Sequence, residues 1–239
     1  MDALAVEERR LYNSGLYRDK ETKPSIFFYT RCAFTVSYSL LFQILMITRM
    51  ILDCNDLLKV IEASYYLITQ TIFLCKLLSF ELQRGKYEEI RRIVRSPLFN
   101  DCGTHQRASV SKNFKGFKIF RRFFLMCLAS VVVIYFAFPI MDGQDMPVPA
   151  WFPFDVKRYK YYVILYETIG FSLTAYVNAT FDFLYGCLVI IICDQCDILE
   201  ENLRFACDFS TKGLPKMVRE RTIEFRLKKC VIHHLLIIK

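Results

Sequence analysis

FFLMCLASVVVIYFAFPIM, residues 123–141, runs without a charge straight into DGQDMPVPAWFPFDVKRYKYY, residues 142–162. The first part is long enough to cross about 30 Å of hydrocarbon as a helix. The second cannot continue that helix, because Pro147, Pro149 and Pro153 fix φ and remove backbone donors. One helix therefore ends here and another begins. A proline-rich turn between two spans lies in water or at the membrane surface, and Trp151, Tyr159, Tyr161 and Tyr162 gather at its margins, as aromatic residues do at the interface.

The same alternation governs the whole chain. Its 239 residues are 54% hydrophobic and 15% aromatic with a net charge of +8, and the apolar residues collect into blocks of about twenty rather than into the shorter amphipathic stretches of a soluble domain. Lysine and arginine sit between those blocks instead of along one helix face, which argues against a nucleic-acid partner and for membrane topology. Met1 to Lys23 is too charged to hold the apolar core of a cleavable signal peptide, so the first span reads as an uncleaved anchor. The ten cysteines are scattered through spans and basic loops and form no disulfide framework. Cys193 and Cys196 make a lone CxxC that reads as a coincidence at a membrane boundary, with no second pair or nearby histidine to complete a metal site.

Taken in order, Met1 to Pro24 is a basic tail with room for one surface helix. The first span is expected over Ser25 to Leu52, its uncharged centre bounded by Arg31 and Arg49, whose stems reach back to the headgroups. Asp53 to Asp56 form a short connection, and a second, less apolar span follows over Leu57 to Leu82, with Lys76 near enough to its end to snorkel. Gln83 to Arg122 is strongly basic; KYEEIRRIVRSPLF within it predicts a short amphipathic helix stopped by Pro97, and Phe114 to Ile119 are expected to begin the next long helix. The third span occupies residues 119–141 and the fourth element Tyr159 to Cys193, with room to continue as a cytoplasmic helix through Phe209, longer than a bilayer needs. Residues 194–239 are basic again and predict a cytoplasmic helical segment broken at Gly213 and Pro215. The final CVIHHLLIIK reads as the approach to a further span, so a truncated chain is expected. The tail, the second loop and the last segment carry the positive charge, which places the N-terminus inside and the proline-rich stretch outside. The fold class expected is all-α: a polytopic membrane helical bundle with four transmembrane helices and a cytoplasmic N-terminus.

Two carboxylates fall inside the fourth helix. Glu167 and Asp182 are fifteen residues apart, about four turns on roughly one face, and too distant for a catalytic pair. Asp182 is expected to face the bundle and to be neutralised or hydrogen-bonded there; Glu167, nearer the outer surface, is a candidate beside a ligand cavity. The Asn178-Ala179-Thr180 sequon lies within the span and is rejected as a glycosylation site. His105, His233 and His234 cannot supply a metal centre, and no phosphate loop or G-x-S-x-G serine is present. No catalytic residue, metal or cofactor is assigned, and an enzyme is not expected. The remaining candidates are aromatic and small polar residues in the outer halves of the spans: Tyr65, Tyr66 and Thr69 on the second, Ile134 and Phe138 on the third, Glu167, Phe171 and Thr174 on the fourth. An apolar cavity with a few hydroxyls suits a small lipophilic ligand; ordinary helix packing is the competing reading.

The pattern resembles the insect odorant receptors. PVPAWFPFDVKRYKYY resembles the loop between that family's third and fourth spans, a P-x-W-x-P-F/Y-D tract followed by aromatic residues. NATFDFLYGCLVIIICDQCDILEENL resembles the end of its fourth span, with an intramembrane Asp182 and, at Gln195 and Leu199, the later Gln-x-x-x-Leu. The basic segment ending in CVIHHLLIIK resembles the approach to its fifth span. The resemblance implies four spans of an expected seven, in a subunit of a tetrameric hetero-oligomer formed with a shared odorant receptor co-receptor. It also implies a non-selective cation channel gated by a small apolar odorant, in the plasma membrane of an olfactory sensory neuron dendrite and in contact with membrane lipid. Lacking the fifth to seventh spans, the chain alone is expected to pass no current. A four-span scaffold or trafficking protein and a related gustatory receptor are the alternatives.

Overall fold

The computed structural model describes residues 4–18, 25–100, 103–141, 148, 150–206 and 216–238, and their regular structure is helical throughout. The elements are α1 (Ala5–Asn13), α2 (Ile26–Leu52), α3 (Leu57–Leu82), α4 (Arg84–Val94), α5 (Pro97–Asn100), α6 (Thr104–Met141), α7 (Lys160–Ala206) and α8 (Lys216–Ile238). Four of them, α2, α3, α6 and α7, are long and apolar enough to cross a membrane. The protein is thus an all-α, multi-pass membrane helical bundle. Helix α7 has 47 residues, about 70 Å at 1.5 Å per residue and more than twice the hydrocarbon thickness.

Two boundaries differ from the sequence reading. Helix α6 starts at Thr104 rather than near Phe114, because no proline interrupts residues 104–119 and Gly103 opens the helix: its N–H donates to Gln106 Oε1 at 2.9 Å and its carbonyl accepts Arg107 N–H at 2.9 Å. Pro97 stops α4 and also opens α5, occupying the first helical position where its missing N–H costs nothing; the preceding Ser96 accepts the Phe99 N–H through its carbonyl at 3.2 Å and through Oγ at 3.4 Å. Pro147, Pro149, Phe209, Gly213 and Pro215 lie outside the described residues.

The chain forms two compact units, one of Leu4–Leu82 with Phe120–Leu184 and the other of the described parts of Gln83–Ile119 and Tyr185–Lys239. In the first, α2 and α3 form an antiparallel hairpin. Arg49 closes on Asp53 at 2.6 Å across the end of α2, and Lys59 on Asp56 at 3.1 Å across the start of α3, which fixes the short connection. Between the two helices Gln43 Nε2 donates to Thr71 Oγ1 at 2.9 Å and the buried Gln70 Nε2 to Ser39 O at 3.4 Å. Small and polar side chains on inward faces let membrane helices approach and bond where apolar burial gives no driving force.

Helix α1 packs into this unit. Gly15 adopts φ 75°, and the N–H groups of Gly15 and Leu16 donate to Tyr12 O at 3.0 Å and Leu11 O at 2.9 Å, the Schellman pattern that ends a helix with a left-handed residue. A Cβ on Gly15 would stand 2.3 Å from the backbone nitrogen of Cys32, so glycine serves both the turn and the close approach to α2. Thr35 Oγ1 donates to Ser14 O at 3.0 Å beside it. The inward face of α1 carries Glu7, wholly buried, whose carboxylate accepts from Arg121 on α6 and lies 3.5 Å from Arg10.

In the second unit, Gln195 ties three elements. Its Nε2 donates to Phe99 O at 3.2 Å, which turns Oε1 toward His233 Nε2 at 2.8 Å; that ring nitrogen therefore carries the donated proton. Burial, with Lys229 nearby as a lesser cause, lowers the His233 pKa from its ordinary value. Asn113 Nδ2 donates to Asp194 Oδ1 at 2.6 Å, and Gln106 Nε2 to Asn202 Oδ1 at 3.2 Å.

Candidate ligand-binding site

The proline-rich segment leads into α7 through a short turn: Asp155 Oδ1 accepts the Lys157 N–H at 3.1 Å, and Tyr159 N–H donates to Val156 O at 3.1 Å. Upstream of that turn the segment enters the bundle instead of merely covering it. Val148 and Ala150 are each 1% exposed and stand in one apolar cluster with Phe42, Met46, Phe136 and Ile164. Buried backbone must find hydrogen-bond partners, and the segment finds them on two helices: Trp151 N–H donates to Leu45 O at 3.1 Å, and Val148 N–H to Glu167 Oε2 at 3.3 Å.

Around that core runs a chain of rings. Tyr135 stacks on Phe171 with centroids 5.8 Å apart, and Phe136 meets the same ring edge-on at 5.9 Å. The Tyr66 and Tyr135 hydroxyls bond to each other across α3 and α6. Tyr166 lies 4.7 Å from Tyr38 and 6.0 Å from Phe152, centroid to centroid, and its carbonyl accepts the Tyr38 hydroxyl. Gly170 makes room for this pairing, since a Cβ there would stand 2.6 Å from Tyr38 Cε1. Offset and edge-on rings are each worth about 0.5–1.5 kcal/mol beyond area burial; the Phe136, Phe152 and Phe171 rings can slide, whereas Tyr38, Tyr66 and Tyr135 are also held by hydroxyl hydrogen bonds.

The candidate residues divide in two. Tyr66 and Phe171 belong to the aromatic cluster, Thr174 is buried on α7, and Glu167 is 0% exposed, with Oε1 lacking a hydrogen-bond partner among the described residues. Tyr65 at 71%, Ile134 at 66% and Phe138 at 62% exposure face away from the described bundle, as does Thr69, whose hydroxyl donates to its own helix at Tyr65 O, 3.0 Å away. Sequence reasoning missed Tyr38, Tyr135, Phe136 and Tyr166 and the buried stretch from Val148. A signal was present in Gly170 and in the small polar Ser39, since such residues mark inward faces in membrane helices.

Asp182 behaves differently from Glu167. Lys76 Nζ reaches it at 2.6 Å and also donates to Asn178 Oδ1 at 2.8 Å. Asp182 is thus paired, but its side chain is 57% exposed and does not face the bundle interior as expected; Lys76 meets it at the margin by crossing to α7 instead of snorkelling.

Comparison with known proteins bears on this arrangement. The profile of the 7tm Odorant receptor family matches residues 56–239. Odorant receptor Or1 of Anopheles gambiae is 23% identical over 203 residues, which is 76% of this chain and 49% of that protein. Odorant receptor 46a, isoform A, of Drosophila melanogaster is 23% identical over 85% of this chain and 53% of its own length. The chain spans about half the length of these curated relatives. Among solved structures, the olfactory receptor OR5 of Machilis hrabei in complex with eugenol superposes with a TM-score of 0.76 at 16% identity, over 98% of this chain and 61% of that one. A second structure of the same receptor gives 0.69 at 14% identity, over 98% and 63%. These likenesses show the fold, and the relatives are receptors, not enzymes.

Proposed function

Because the chain belongs to the 7tm odorant receptor family, we propose that it is part of an olfactory receptor subunit that binds a small, mostly apolar volatile. The observation that carries this reading is the aromatic cluster itself. Tyr66, Tyr135 and Phe171 form an apolar surface with two hydroxyls, and Glu167 Oε1 beside the Val148 segment is a hydrogen-bonding atom that folding leaves unused. An apolar site with a few placed polar atoms is the chemistry that selects a lipophilic ligand. The similar fold of a receptor described in complex with eugenol supports it.

Binding shifts a closed-to-open equilibrium without chemistry on the ligand. In the complete protein this opens a non-selective cation channel formed with the co-receptor, in the plasma membrane of a sensory dendrite. The basic segments support a cytoplasmic N-terminus in this reading. Co-expression of the complete receptor with the co-receptor, read by current or calcium entry against an odorant panel, tests the reading. Responses to apolar volatiles are expected, with ligand ranking altered by Tyr66→Phe and Phe171→Ala. Silence across a broad panel overturns it, and unchanged ranking returns both residues to packing.

A further inference from the structure

We propose that the groove between α1, α2 and α7 in the first unit binds the headgroup of an anionic phospholipid. The groove has a volume of about 610 Å³, and its lining includes Asn13, Thr30, Arg31, Phe34, Leu173 and Tyr176. That is within the range of small-molecule sites; none of these lining residues belongs to the aromatic cluster, which the groove touches where Phe34 meets Tyr38 at 5.4 Å.

Its depth in the membrane follows from α2. Arg31 and Arg49 are eighteen residues apart on one helix, about 27 Å at 1.5 Å per residue, close to the ~30 Å of a hydrocarbon core. Placing Arg49 and its partner Asp53 at one interface puts Arg31 at the other. Phe34 lies one turn further into the hydrocarbon, with Leu173 and Tyr176 across the groove from it. The groove therefore offers a cation at headgroup depth and apolar walls at acyl-chain depth.

The charge is also available among the described residues. Glu7, Arg10 and Arg121 engage one another, Arg49 holds Asp53, and Lys76 holds Asp182. No described residue forms an ion pair or hydrogen bond with the Arg31 guanidinium. The Asn13 amide, on the groove rim, is likewise uncommitted among the described residues, whereas the Thr35 and Thr30 hydroxyls donate to Ser14 O and Phe27 O. A guanidinium and an amide are matched donors for a phosphate monoanion. A zwitterionic lipid would bring its own cation toward Arg31, so charge complementarity selects an anionic headgroup.

The test uses the 239-residue chain purified in detergent, with bound lipid counted by native mass spectrometry after exposure to mixed micelles of phosphatidylglycerol or phosphatidylcholine. Phosphatidylglycerol is retained in preference, and Arg31→Gln lowers its retention about tenfold, the loss of one charge-assisted contact. Arg31→Lys, which keeps the charge and loses the fork, lowers it less. Arg49→Gln, at the other interface, leaves it unchanged. A thermal midpoint for each variant establishes that it is folded. Equal retention of the two lipids, or wild-type retention by folded Arg31→Gln, overturns the proposal. Displacement of the lipid by millimolar inorganic phosphate also overturns it, because the groove would then be a site for soluble phosphate.

Discussion

At one end of the first unit, around Glu167 and the segment from Val148 to Phe154, helices meet through rings: Tyr38 on Tyr166, Phe152 on Tyr166, Tyr135 on Phe171. At the other, around Glu7 and Asp182, ring contacts such as Phe80 on Phe181 and Phe124 on Phe183 are joined by ions: Arg121 with Glu7, Lys76 with Asp182. Ring contacts are short-ranged and tolerant of a shift in offset, so a ligand can replace one apolar neighbour by another at small cost. The buried Arg121–Glu7 pair has no such latitude, since removing either member costs a charge its nearest partner in a low dielectric, whereas the Lys76–Asp182 pair is partly exposed and bridges two helices at their margin. The end proposed to receive the ligand is thus the adaptable one, and the charged end holds the frame in register.

The sharpest test of that contrast is Arg121→Leu, which leaves the wholly buried Glu7 with only Arg10 at 3.5 Å and is expected to cost about 3 kcal/mol, the low end for a broken buried pair. Loss of thermal stability in detergent reports it, and Glu7→Leu with Arg121→Leu should recover most of the loss. If Arg121→Leu lowers the unfolding midpoint no more than Tyr66→Phe, which removes one hydroxyl contact worth about 1 kcal/mol, the two ends are equivalent and the contrast fails.

Next in size is a pair of glycine substitutions, one at each end. Gly15→Ala places a Cβ 2.3 Å from Cys32 N at a φ of 75°, and backbone cannot yield, so about 2–4 kcal/mol is expected from strain and overpacking together. Gly170→Ala meets the Tyr38 ring at 2.6 Å. A ring can swing, so the cost should be nearer 1–2 kcal/mol and should be relieved by Tyr38→Ala. Equal losses would mean that the aromatic end is as rigid as the charged one.

How much of this was legible differs between the ends. The spans were readable because about twenty apolar residues bounded by charge leave few other structures, and the bounds of α2 and α3 follow their flanking Arg49, Asp53 and Gln83. Position along the helix was readable too, since Pro153 and the basic blocks mark depth. The face was not. Ile134 and Phe138 share one face of α6, and Val132, Tyr135 and Phe136 share the next; all are apolar or aromatic, so no hydrophobic period separates lipid from bundle. The inward side is decided instead by small and polar groups, such as Ser39 opposite Gln70 and Gly170 beneath Tyr38. The Lys76 to Asp182 pair was half legible, because the need for neutralisation follows from depth, whereas the identity of the partner needs two helices to be placed. The burial of Val148 and Ala150 had no local signal: a proline-rich connection reads as surface, and the paired N–H groups of Val148 and Trp151 are tertiary facts.

The smallest expected effects come from one substitution made twice on α7, acid to amide at Glu167 and at Asp182. Asp182→Asn removes the charge that Lys76 holds at 2.6 Å. Asn178 still accepts from Lys76 and the Asp182 carboxylate is partly exposed, so the cost is discounted to about 1 kcal/mol. Glu167→Gln keeps the shape and the oxygen that accepts Val148 N–H, so its stability change should be within a few tenths of a kcal/mol, about what one conserved hydrogen bond allows. The thermal midpoint of each variant in the same detergent gives the comparison directly. The contrast requires Asp182→Asn to be the more damaging of the two, because at that position the acid serves as an ion, while at Glu167 it serves as a hydrogen-bonding oxygen beside the rings. The reverse order would make Glu167 a charged anchor, move the ionic frame into the proposed ligand end, and leave the rings as packing around it.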